Sequence, residues 1–537
     1  MPRRKLPFLA APLTLATFLT GCSSPSSADK HAVSITTAVP AAKSSVDTVT
    51  WNLGYGEPAT LDPALSATES ISSIVGNMCE GLTTVGADNK PQPALASSID
   101  HPDPLTYVIN LRKGVTFWDG KPMTAEDVRY SIQRVLDVKL GSSWIMWASR
   151  FDSVKITGTD QLTIKLKSAD STVPNYFAMP AFNIVEKAYT TAAGKSFGTA
   201  TGGVMCTGPY KLAKWNQGKN IILTRNDSWW NTSVKPKVAS LRFSFITDPA
   251  AQAAALSNGD VDGQYDVPIE SQASLAGKGS MLYGRSLGTI FLSELNSKSA
   301  LSDPSTRRAL QAVIDYEGIT KSVYKGTAQP LRALVPPEAW GYGQSVYQQA
   351  YNALPKPAQD QKTAKSLVAK STKARNKIVL AYTTANTEQT EMATVIANEA
   401  NQVGMNIQLK PLTGEQYSAV FGSAQARQGI DLLLTVGYLD FQEPLEYYLY
   451  FTSGSYYNFG GYSNKEYDAA LAAAMSEGND DARARDVAKA QAIMSKDLVN
   501  IPLVSVDVSV FYSKKLTGLV PRQSYLYTPW ATTLGGG

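Results

Sequence analysis

The sequence predicts a mixed α/β fold, because short apolar segments typical of strands alternate with longer segments of helical periodicity. Residues 431–437 form a mostly apolar run bounded by Gly429 and Gly437, as in a short buried strand, and residues 105–112 alternate apolar and polar side chains. Residues 387–403 have apolar side chains at helical spacing. With 537 residues, 43% of them apolar, the chain can bury a large core but is too long for one compact unit. We therefore expect two or three domains.

The charge and the histidine content argue against two classes of function. The chain has 50 basic and 45 acidic residues and a net charge of +5, so it lacks the cationic field that nucleic-acid binding requires. Its histidines are His31, in an N-terminal region without folding signals, and His101. Because His101 is then the sole histidine of the folded body, an exported hydrolase is a poor alternative. We expect neither an enzyme nor a nucleic-acid partner.

The N-terminus has the organisation of an export signal. Basic residues 3–5 precede an apolar segment over residues 6–19. The following sequence LTGC, which ends at Cys22, resembles the lipobox of bacterial lipoproteins, in which cleavage leaves the cysteine at the new N-terminus for acylation. We expect a signal peptide over residues 1–22 and lipidation of Cys22; the alternative is an ordinary secreted protein that loses this cysteine. Residues 23–47 are rich in Ser, Ala, Thr and Lys, which predicts a flexible tether.

The first elements of the folded part follow in order from turn and capping residues. A strand is predicted over residues 49–53, and a loop rich in turn residues follows over residues 57–63. Residues 71–82 then predict a helix, before the strand over residues 105–112. A second helix begins at Thr124, because this residue is a favourable N-cap and acidic residues follow it in the first turn.

Several sequence blocks occur in an order that is typical of one family. They are EPATLDP (57–63), EGL (80–82), PALA (93–96), LRKGVTFWDG (111–120), MTAEDV (123–128), TGPYKL (207–212), RNDSWW (225–230), LSNGDVD (256–262) and RAL (308–310) before ID (314–315). The chain thereby resembles the dipeptide/oligopeptide solute-binding proteins of ABC importers, family 5 of the bacterial solute-binding lipoproteins. Independent blocks in one order are more specific than any single motif. The similarity extends from about residue 49 to the C-terminus.

The resemblance implies a periplasmic-binding-protein-like fold, with two α/β lobes joined by a hinge that close over a ligand. The first lobe would then comprise residues 48–85 and 201–300, with an inserted subdomain over residues 86–200. The second lobe would span residues 301–499, and residues 500–537 would return to the first lobe, beginning with a strand over residues 501–512. Helical patterns support the second lobe, at residues 364–374, 387–403, 464–475 and 481–499.

Asp440 is the strongest candidate for a ligand contact. It lies in the loop YLDFQEP (residues 438–444), just after the predicted strand 431–437, where open α/β sheets commonly hold ligands. From the residues alone, an aspartate that binds the backbone of its own loop is the more common role. The segment aligns without a gap with the family segment whose acid holds the α-ammonium group of the ligand. The resemblance therefore implies that Asp440 anchors the amino terminus of a peptide.

The expected pocket contains further residues and one departure from the family pattern. Certain peptide-binding members carry an arginine for the ligand carboxylate where this chain has Leu434, which leaves the length and even the peptide nature of the ligand open. Arg427 either replaces that cation or, as its loop position favours, is a solvated charge. The resemblance places these residues in the pocket: Trp147, Tyr417, Asn458, Ala67 and Thr68. Trp144 is a neighbouring tryptophan in the same segment. For Trp147 and Tyr417, core packing is an equal alternative.

Cys79 and Cys206 are the cysteines of the expected mature body. Oxidation is permitted outside the cytoplasm, but spacing cannot show that two cysteines are close in space. A disulfide and two buried free thiols therefore both remain open. The chain also carries a calcium-like loop start at residues 258–263, but the twelfth position is Ile269, so the set of ligands is incomplete. We expect no cofactor and no metal.

The expected function is that of a lipid-anchored, monomeric solute-binding component of an ABC importer. It would capture short peptides at the outer face of the cell membrane and deliver them to the permease, whose separate ATPase subunits drive import. Membrane contact would be through the lipid anchor alone. Two alternatives remain: a lipoprotein that presents signal peptides to a receptor, and a binder of a non-peptide solute such as a metal chelate, haem, sugar or drug.

Overall fold

Two mixed β-sheets form the centres of two lobes. The computed structural model describes residues 33–86 and 90–537, so the predicted signal peptide and Cys22 lie outside the described residues. The sheet of the first lobe has seven strands, in the spatial order Gly279–Gly284, Val508–Ser513, Gly263–Tyr265, Val46–Asn52, Val238–Ser244, Asn220–Arg225 and Tyr210–Asn216. The sheet of the second lobe has six, in the order Ala328–Pro330, Asn500–Val506, Gly288–Glu294, Leu432–Tyr438, Lys377–Thr383 and Asn406–Leu412. The predicted mixed α/β class is confirmed.

A four-stranded antiparallel sheet forms the centre of a subdomain inserted in the first lobe. Its strands have the spatial order Ala96–Asp103, Thr106–Leu111, Gln161–Leu166 and Phe151–Gly158. Two small two-stranded sheets accompany the larger ones, formed by Thr83–Val85 with Pro91–Pro93 and by Leu516–Thr517 with Gly535–Gly536. The subdomain has a hydrophobic core of its own, so its position relative to the two lobes fixes the side chains that it presents to the cleft.

The main helices pack on these sheets. Those of the first lobe are Glu69–Met78 and Pro249–Asn258, and those of the subdomain are Ala125–Leu136, Ile145–Ala148, Val173–Tyr176 and Lys187–Ala193. Those of the second lobe are Pro304–Val313, Gln344–Ala353, Gln361–Lys370, Thr387–Gln402, Gly414–Gly422, Leu445–Leu449, Lys465–Ser476 and Asp480–Asp497. No helix among the described residues is long and apolar enough to cross a membrane.

The start of the helix Ala125–Leu136 is determined by the side chains at its N-terminus. The Thr124 hydroxyl accepts a hydrogen bond from the backbone N–H of Asp127, and the Asp127 side chain accepts one from the backbone N–H of Thr124. This capping box satisfies donors that a helix N-terminus otherwise leaves unpaired. Val128 and Ile132 then face the core and are 0% exposed. The start predicted at Thr124 is confirmed.

The lobe boundaries differ from the predicted ones at both crossings of the hinge. The apolar run 501–512 is two strands, because Asn500–Val506 belongs to the second sheet and Val508–Ser513 to the first. Gly288–Glu294 likewise belongs to the second sheet, so the chain crosses at residues 285–287 and at Asp507 rather than near residues 300 and 500. Arg285 Nη1 contacts both carboxylate oxygens of Asp507, at 2.9 and 3.1 Å. This ion pair joins the two crossing segments.

The predicted flexible tether is too long. Residues 33–45 lie along the body: the Thr36 N–H donates to the carbonyl of Tyr283 at 2.7 Å, and the Lys43 N–H donates to the carbonyl of Gly536 at 2.8 Å. The strand Val46–Asn52 follows directly. The Val33 N–H also donates to the carbonyl of Gly326, at 3.3 Å, so the described part of the predicted tether is bound to the folded body.

A disulfide and a buried carboxylate connect distant parts of the first lobe. Cys79 and Cys206 form a disulfide with a Cα–Cα distance of 4.9 Å. The neighbouring Glu80 accepts hydrogen bonds from the hydroxyl of Thr207 at 2.7 Å, from the indole of Trp229 at 3.1 Å and from that of Trp230 at 3.0 and 3.2 Å. Burial raises the pKa of Glu80, although these donors oppose the shift.

Candidate functional site

A cavity of about 300 Å³ lies between the lobes beside the strand Leu432–Tyr438, which we call the site strand. Its lining from the first lobe is Ser66, Ala67 and Ser72, and from the subdomain Ser143, Trp144, Met146 and Trp147. The second lobe contributes Phe291, Ser293, Leu295, Phe421, Leu433, Thr435, Val436, Gly437, Tyr438, Asp440, Tyr447, Tyr450, Phe451, Tyr457 and Phe459. Because all three parts of the body contribute, lobe closure would enclose a ligand here.

Over residues 432–435 the site strand presents its side chains alternately to the core and to the cavity. Leu432 and Leu434 belong to the core of the second lobe and are 2% and 0% exposed. Leu433 and Gly437, on the other face, line the cavity. Leu434, the departure from the family pattern, therefore points away from the ligand space. A Cβ atom at Gly437 would lie 1.8 Å from the hydroxyl oxygen of Tyr447, so glycine allows this tyrosine to approach the strand.

Two residues hold Asp440 at the cavity wall. The Tyr527 hydroxyl donates a hydrogen bond to Asp440 Oδ1. The backbone N–H of Asp440 donates to the two carboxylate oxygens of Glu446, at 3.2 and 3.0 Å, and a side-chain hydrogen bond also joins the two carboxyl groups. Glu446 lies in the helix Leu445–Leu449, so the loop after the site strand is fixed against the next helix.

The carboxyl groups of Asp440 and Glu446 form an electrostatically coupled pair beside the cavity. Burial raises the pKa of Asp440, and the hydrogen bonds from Glu446 and Tyr527 oppose this shift. Burial and then the charge of Asp440 raise the pKa of Glu446 well above its usual range. Two adjacent carboxyl groups with raised pKa values do not both ionise easily, so they share one proton. The pair therefore carries a shared negative charge, and Asp440 is the member that lines the cavity.

No lysine or arginine lines this cavity in the part of the chain that the structure describes. The Tyr527 hydroxyl supplies a hydrogen bond to Asp440 but no positive charge. An ammonium group supplies both charge and up to three donors, and charge-assisted hydrogen bonds of this kind are among the strongest in proteins. The site therefore suits a ligand that carries a positively charged amine.

Aromatic rings form much of the remaining wall. The indole N–H of Trp144 donates to the carbonyl of Ser66 at 2.5 Å, which joins the subdomain to the first lobe. Trp147 is only 2% exposed and packs on Tyr176 and Tyr450, with ring centroids 5.1 and 6.4 Å away. Trp147 is thus mainly a core residue with one edge in the cavity, whereas the partly exposed Trp144 offers more surface for a ligand. Such surfaces bind ligands without fixing their sequence.

Asp440, Trp147 and Ala67 are the predicted contacts that line the cavity. Thr68 is not part of the lining; it is the N-cap residue of the helix Glu69–Met78 and makes no side-chain capping bond. Ala67, the neighbour of Thr68, faces the cavity, and a ligand contact of Thr68 itself stays a prediction.

Tyr417 and Asn458 lie outside the lining of this cavity, and the ligand contact of each stays a prediction. The Tyr417 hydroxyl donates to the carbonyl of Leu434 at 3.1 Å and accepts from the N–H of Val436 at 3.2 Å. The Tyr417 hydroxyl therefore pairs with a backbone carbonyl and a backbone N–H of the site strand. Asn458 donates to the carbonyl of Tyr462 at 2.7 Å and accepts from its N–H at 2.8 Å, so it closes its own loop.

Arg427 does not replace the cation that the family pattern provides. Its guanidinium lies 4.1 Å from the ring centroid of Phe459 and donates to the carbonyl of Val420 at 2.7 Å. Phe459 lines the cavity and Arg427 does not. Arg427 therefore supports a wall residue rather than contacting the ligand space.

Four residues around Asp440 are not predicted from the sequence: Glu446, Tyr447, Tyr450 and Tyr527. For the first three a local signal exists, because the run LEYYLY (445–450) follows the Asp440 loop directly and combines an acid with aromatic residues. Tyr527 has no such signal, since it is 87 residues away from its partner in the sequence. Among the described residues, no group of three or more His, Cys, Asp or Glu side chains is placed to hold a metal ion.

Comparison with known proteins identifies the family of this chain. Residues 90–459 match the family model for bacterial extracellular solute-binding proteins, family 5 Middle. The chain belongs to this family. The dipeptide-binding protein DppE of Bacillus subtilis (strain 168) is 24% identical over 551 residues, which cover 98% of this chain and 99% of that protein. The family 5 match includes the subdomain, the site strand and Asp440, whereas Tyr527 lies beyond it.

Solved structures confirm the two-lobed binding-protein fold of this family 5 member. The ABC transporter substrate-binding protein CtaP of Listeria monocytogenes superposes with a TM-score of 0.79 at 20% identity, covering 92% of this chain and 99% of that one. DppA of Helicobacter pylori, solved in complex with the peptide STSA, superposes with a TM-score of 0.76 at 21% identity, covering 91% and 98%. At these levels of sequence identity, the structural similarity shows the fold alone.

Proposed function

We propose that this family 5 protein is the lipid-anchored component of an ABC importer that captures short peptides outside the membrane. The observation that carries the proposal is the position of the Asp440 carboxyl group, paired with that of Glu446, in a cavity whose described lining has no lysine or arginine. A free peptide amino terminus provides the ammonium group that this carboxylate needs. The peptide complex of the similarly folded DppA and the name of the relative DppE support this choice of ligand.

Binding would proceed without chemical change of the ligand. The ammonium group would bind Asp440, which shares a proton and a negative charge with Glu446. Trp144 and the tyrosines of the wall would provide adaptable apolar surface for varied side chains. Lobe closure about residues 285–287 and Asp507 would then enclose the peptide. The closed form would dock, as a monomer, on a membrane permease whose ATPase subunits drive import.

The ligand amine is tested by calorimetry with matched peptides. Ala-Ala-Ala is expected to bind wild-type protein, and N-acetyl-Ala-Ala-Ala is expected to bind about ten- to a hundredfold more weakly, which corresponds to roughly 1.5 to 3 kcal/mol. Asp440→Asn should weaken Ala-Ala-Ala by a similar factor, because it removes the charge but keeps the size. Native mass spectrometry of the purified protein would identify any ligand that is retained from the cell.

Glu466→Gln is the matched control variant, because Glu466 is an exposed carboxylate on the helix Lys465–Ser476. It should leave both affinities unchanged. Equal affinities of the free and acetylated peptides, or an Asp440→Asn variant that binds Ala-Ala-Ala like wild type, would remove Asp440 as the amine anchor.

The lipid anchor is tested separately by metabolic labelling with palmitate. We expect label on the wild type and none on a Cys22→Ala variant. An unlabelled wild-type protein would leave an extracellular binding protein without this anchor.

A further inference from the structure

A second chamber of about 380 Å³ lies on the hinge side of the cleft. Val436, Gly437 and Tyr438 of the site strand line both this chamber and the ligand cavity, so the two spaces adjoin. Residues from both lobes and from both hinge crossings, such as Asp507, contribute to its wall. The chamber is therefore part of the space that changes shape when the lobes move.

Five carboxylates line this hinge chamber: Glu69, Asp266, Glu270, Glu388 and Asp507. Glu69 and Asp266 belong to the first lobe and Glu388 to the second, and Asp507 lies at the crossing. No lysine or arginine lines it among the described residues. Arg285 pairs with Asp507 from outside the lining. The lining thus carries an excess of negative charge.

Two buried polar atoms in the chamber wall lack a hydrogen-bond partner within the described residues. Thr289 is 0% exposed and its hydroxyl is unpaired; Gln389 is 4% exposed and its side-chain carbonyl oxygen is unpaired. Both residues line the chamber. A buried polar group without a partner is costly, and most such groups in proteins are satisfied by water or a ligand. Both atoms can accept a hydrogen bond, so a donor in the chamber would satisfy them.

The electrostatics of the wall point to the same kind of occupant. Burial raises the pKa of Asp266 to about 6, with the Glu69 charge adding to this effect against the Tyr525 hydrogen bond. Burial, and then the charge of Glu270, raise the pKa of Glu388, against hydrogen bonds from the backbone. Burial and the charge of Asp440 raise the pKa of Glu69. Each shift is the response of a carboxylate to lost hydration and negative neighbours, and a cation would reverse it.

We propose that the hinge chamber is a second subsite, which takes a cationic side chain, an ammonium or a guanidinium group, of a peptide whose amino terminus lies at Asp440. The proposal rests on the proposed function for the position of the peptide. The chamber has acceptors on both lobes, Glu69 and Asp266 on one and Glu388 with Gln389 on the other. A donor-only cation between them would hydrogen-bond to both lobes and so favour the closed form.

The test is a lysine scan of one tripeptide. Each residue of Ala-Ala-Ala is replaced in turn by lysine or by norleucine, which has nearly the same length without the charge, and the six dissociation constants are measured by calorimetry. We expect lysine to bind at least tenfold more tightly than norleucine at one position. In the double variant Asp266→Asn with Glu388→Gln, this ratio should fall at least fivefold, while in the exposed control Glu466→Gln it should stay as in wild type.

The outcomes separate the two proposals. If Ala-Ala-Ala binds but no position prefers lysine, or if the double variant keeps the wild-type ratio, the subsite is overturned and the peptide function stands. If no tripeptide binds, the peptide function fails, and the chamber is tested with pentane-1,5-diamine alone. Binding of the diamine to wild type that is at least fivefold weaker in the double variant supports a cation site; no binding, or equal binding, overturns it.

Discussion

Replacement of Asp266 by asparagine is expected to stabilise the ligand-free protein at neutral pH but not at about pH 4. Asp266 has a φ of 51°, in the left-handed region that asparagine also tolerates. Its Oδ2 accepts a hydrogen bond from the Tyr525 hydroxyl at 2.7 Å, and an asparagine carbonyl oxygen can also accept this bond. The substitution therefore removes a charge while it keeps the backbone conformation and the hydrogen bond.

The magnitude follows from the pKa of Asp266, which burial raises from 3.8 to about 6. A shift of about two units corresponds to roughly 3 kcal/mol. Well below pH 3.8 the carboxyl is protonated in both states and has no effect. Between 3.8 and about 6 the unfolded chain loses its proton first, so stability falls as the pH rises, and above about 6 the whole penalty remains. The uncharged variant avoids this penalty.

Guanidinium unfolding of wild type and Asp266→Asn, followed by tryptophan fluorescence at about pH 4 and pH 7.5, measures the effect. We expect the variant to gain about 2 to 3 kcal/mol at the higher pH and nearly nothing at the lower. Glu466→Gln, at an exposed position, should show no such difference between the two pH values. An equal gain at both would show that the charge of Asp266 is not its cause, and a loss at pH 7.5 would refute the reasoning.

Three further outcomes are expected. Glu80→Gln should lower the free energy of unfolding by about 1 to 3 kcal/mol in denaturant titrations, because an amide N–H replaces an oxygen that accepts hydrogen bonds; an unchanged value would contradict this. Replacing Cys79 and Cys206 together by serine should cost about 2 to 5 kcal/mol, since the disulfide closes a sequence separation of 127 residues; unfolding of oxidised wild type and the variant at the same denaturant concentration would contradict it. Gly437→Ala should weaken Ala-Ala-Ala at least tenfold in calorimetry, because its Cβ would displace the Tyr447 hydroxyl; full affinity would show that this tyrosine can move without loss.

Periodicity and capping residues predict many of the local elements, but not which sheet a strand joins. The helix predicted over residues 387–403 is Thr387–Gln402, and the strand predicted over 431–437 is Leu432–Tyr438. The run 501–512 fails as one strand because a buried strand has the same apolar composition in either lobe. Only the pairing partners, hundreds of residues away, separate its halves at Asp507.

The residues of the candidate site are likewise predictable only where the signal lies in the nearby sequence. Asp440 is found because its segment follows a strand and matches the family without a gap. The polar groups of Tyr417 and Asn458 satisfy nearby backbone, a role that the sequence does not distinguish from a ligand contact. Glu446 shares a proton with Asp440, and such a pair is defined by geometry rather than by residue type.

The distribution of these carboxylates links ligand charge to lobe movement. Glu69 and Asp266 belong to the first lobe, whereas Asp440 and Glu388 belong to the second, and the charge of Asp440 already raises the pKa of Glu69 across the cleft. Like charges on facing surfaces repel more strongly as water leaves the space between them. Closure without a cation is therefore opposed by the acids that recognise one. A positively charged ligand removes that repulsion and adds hydrogen bonds to both lobes, so the groups that select the ligand also favour the closed, ligand-bound form.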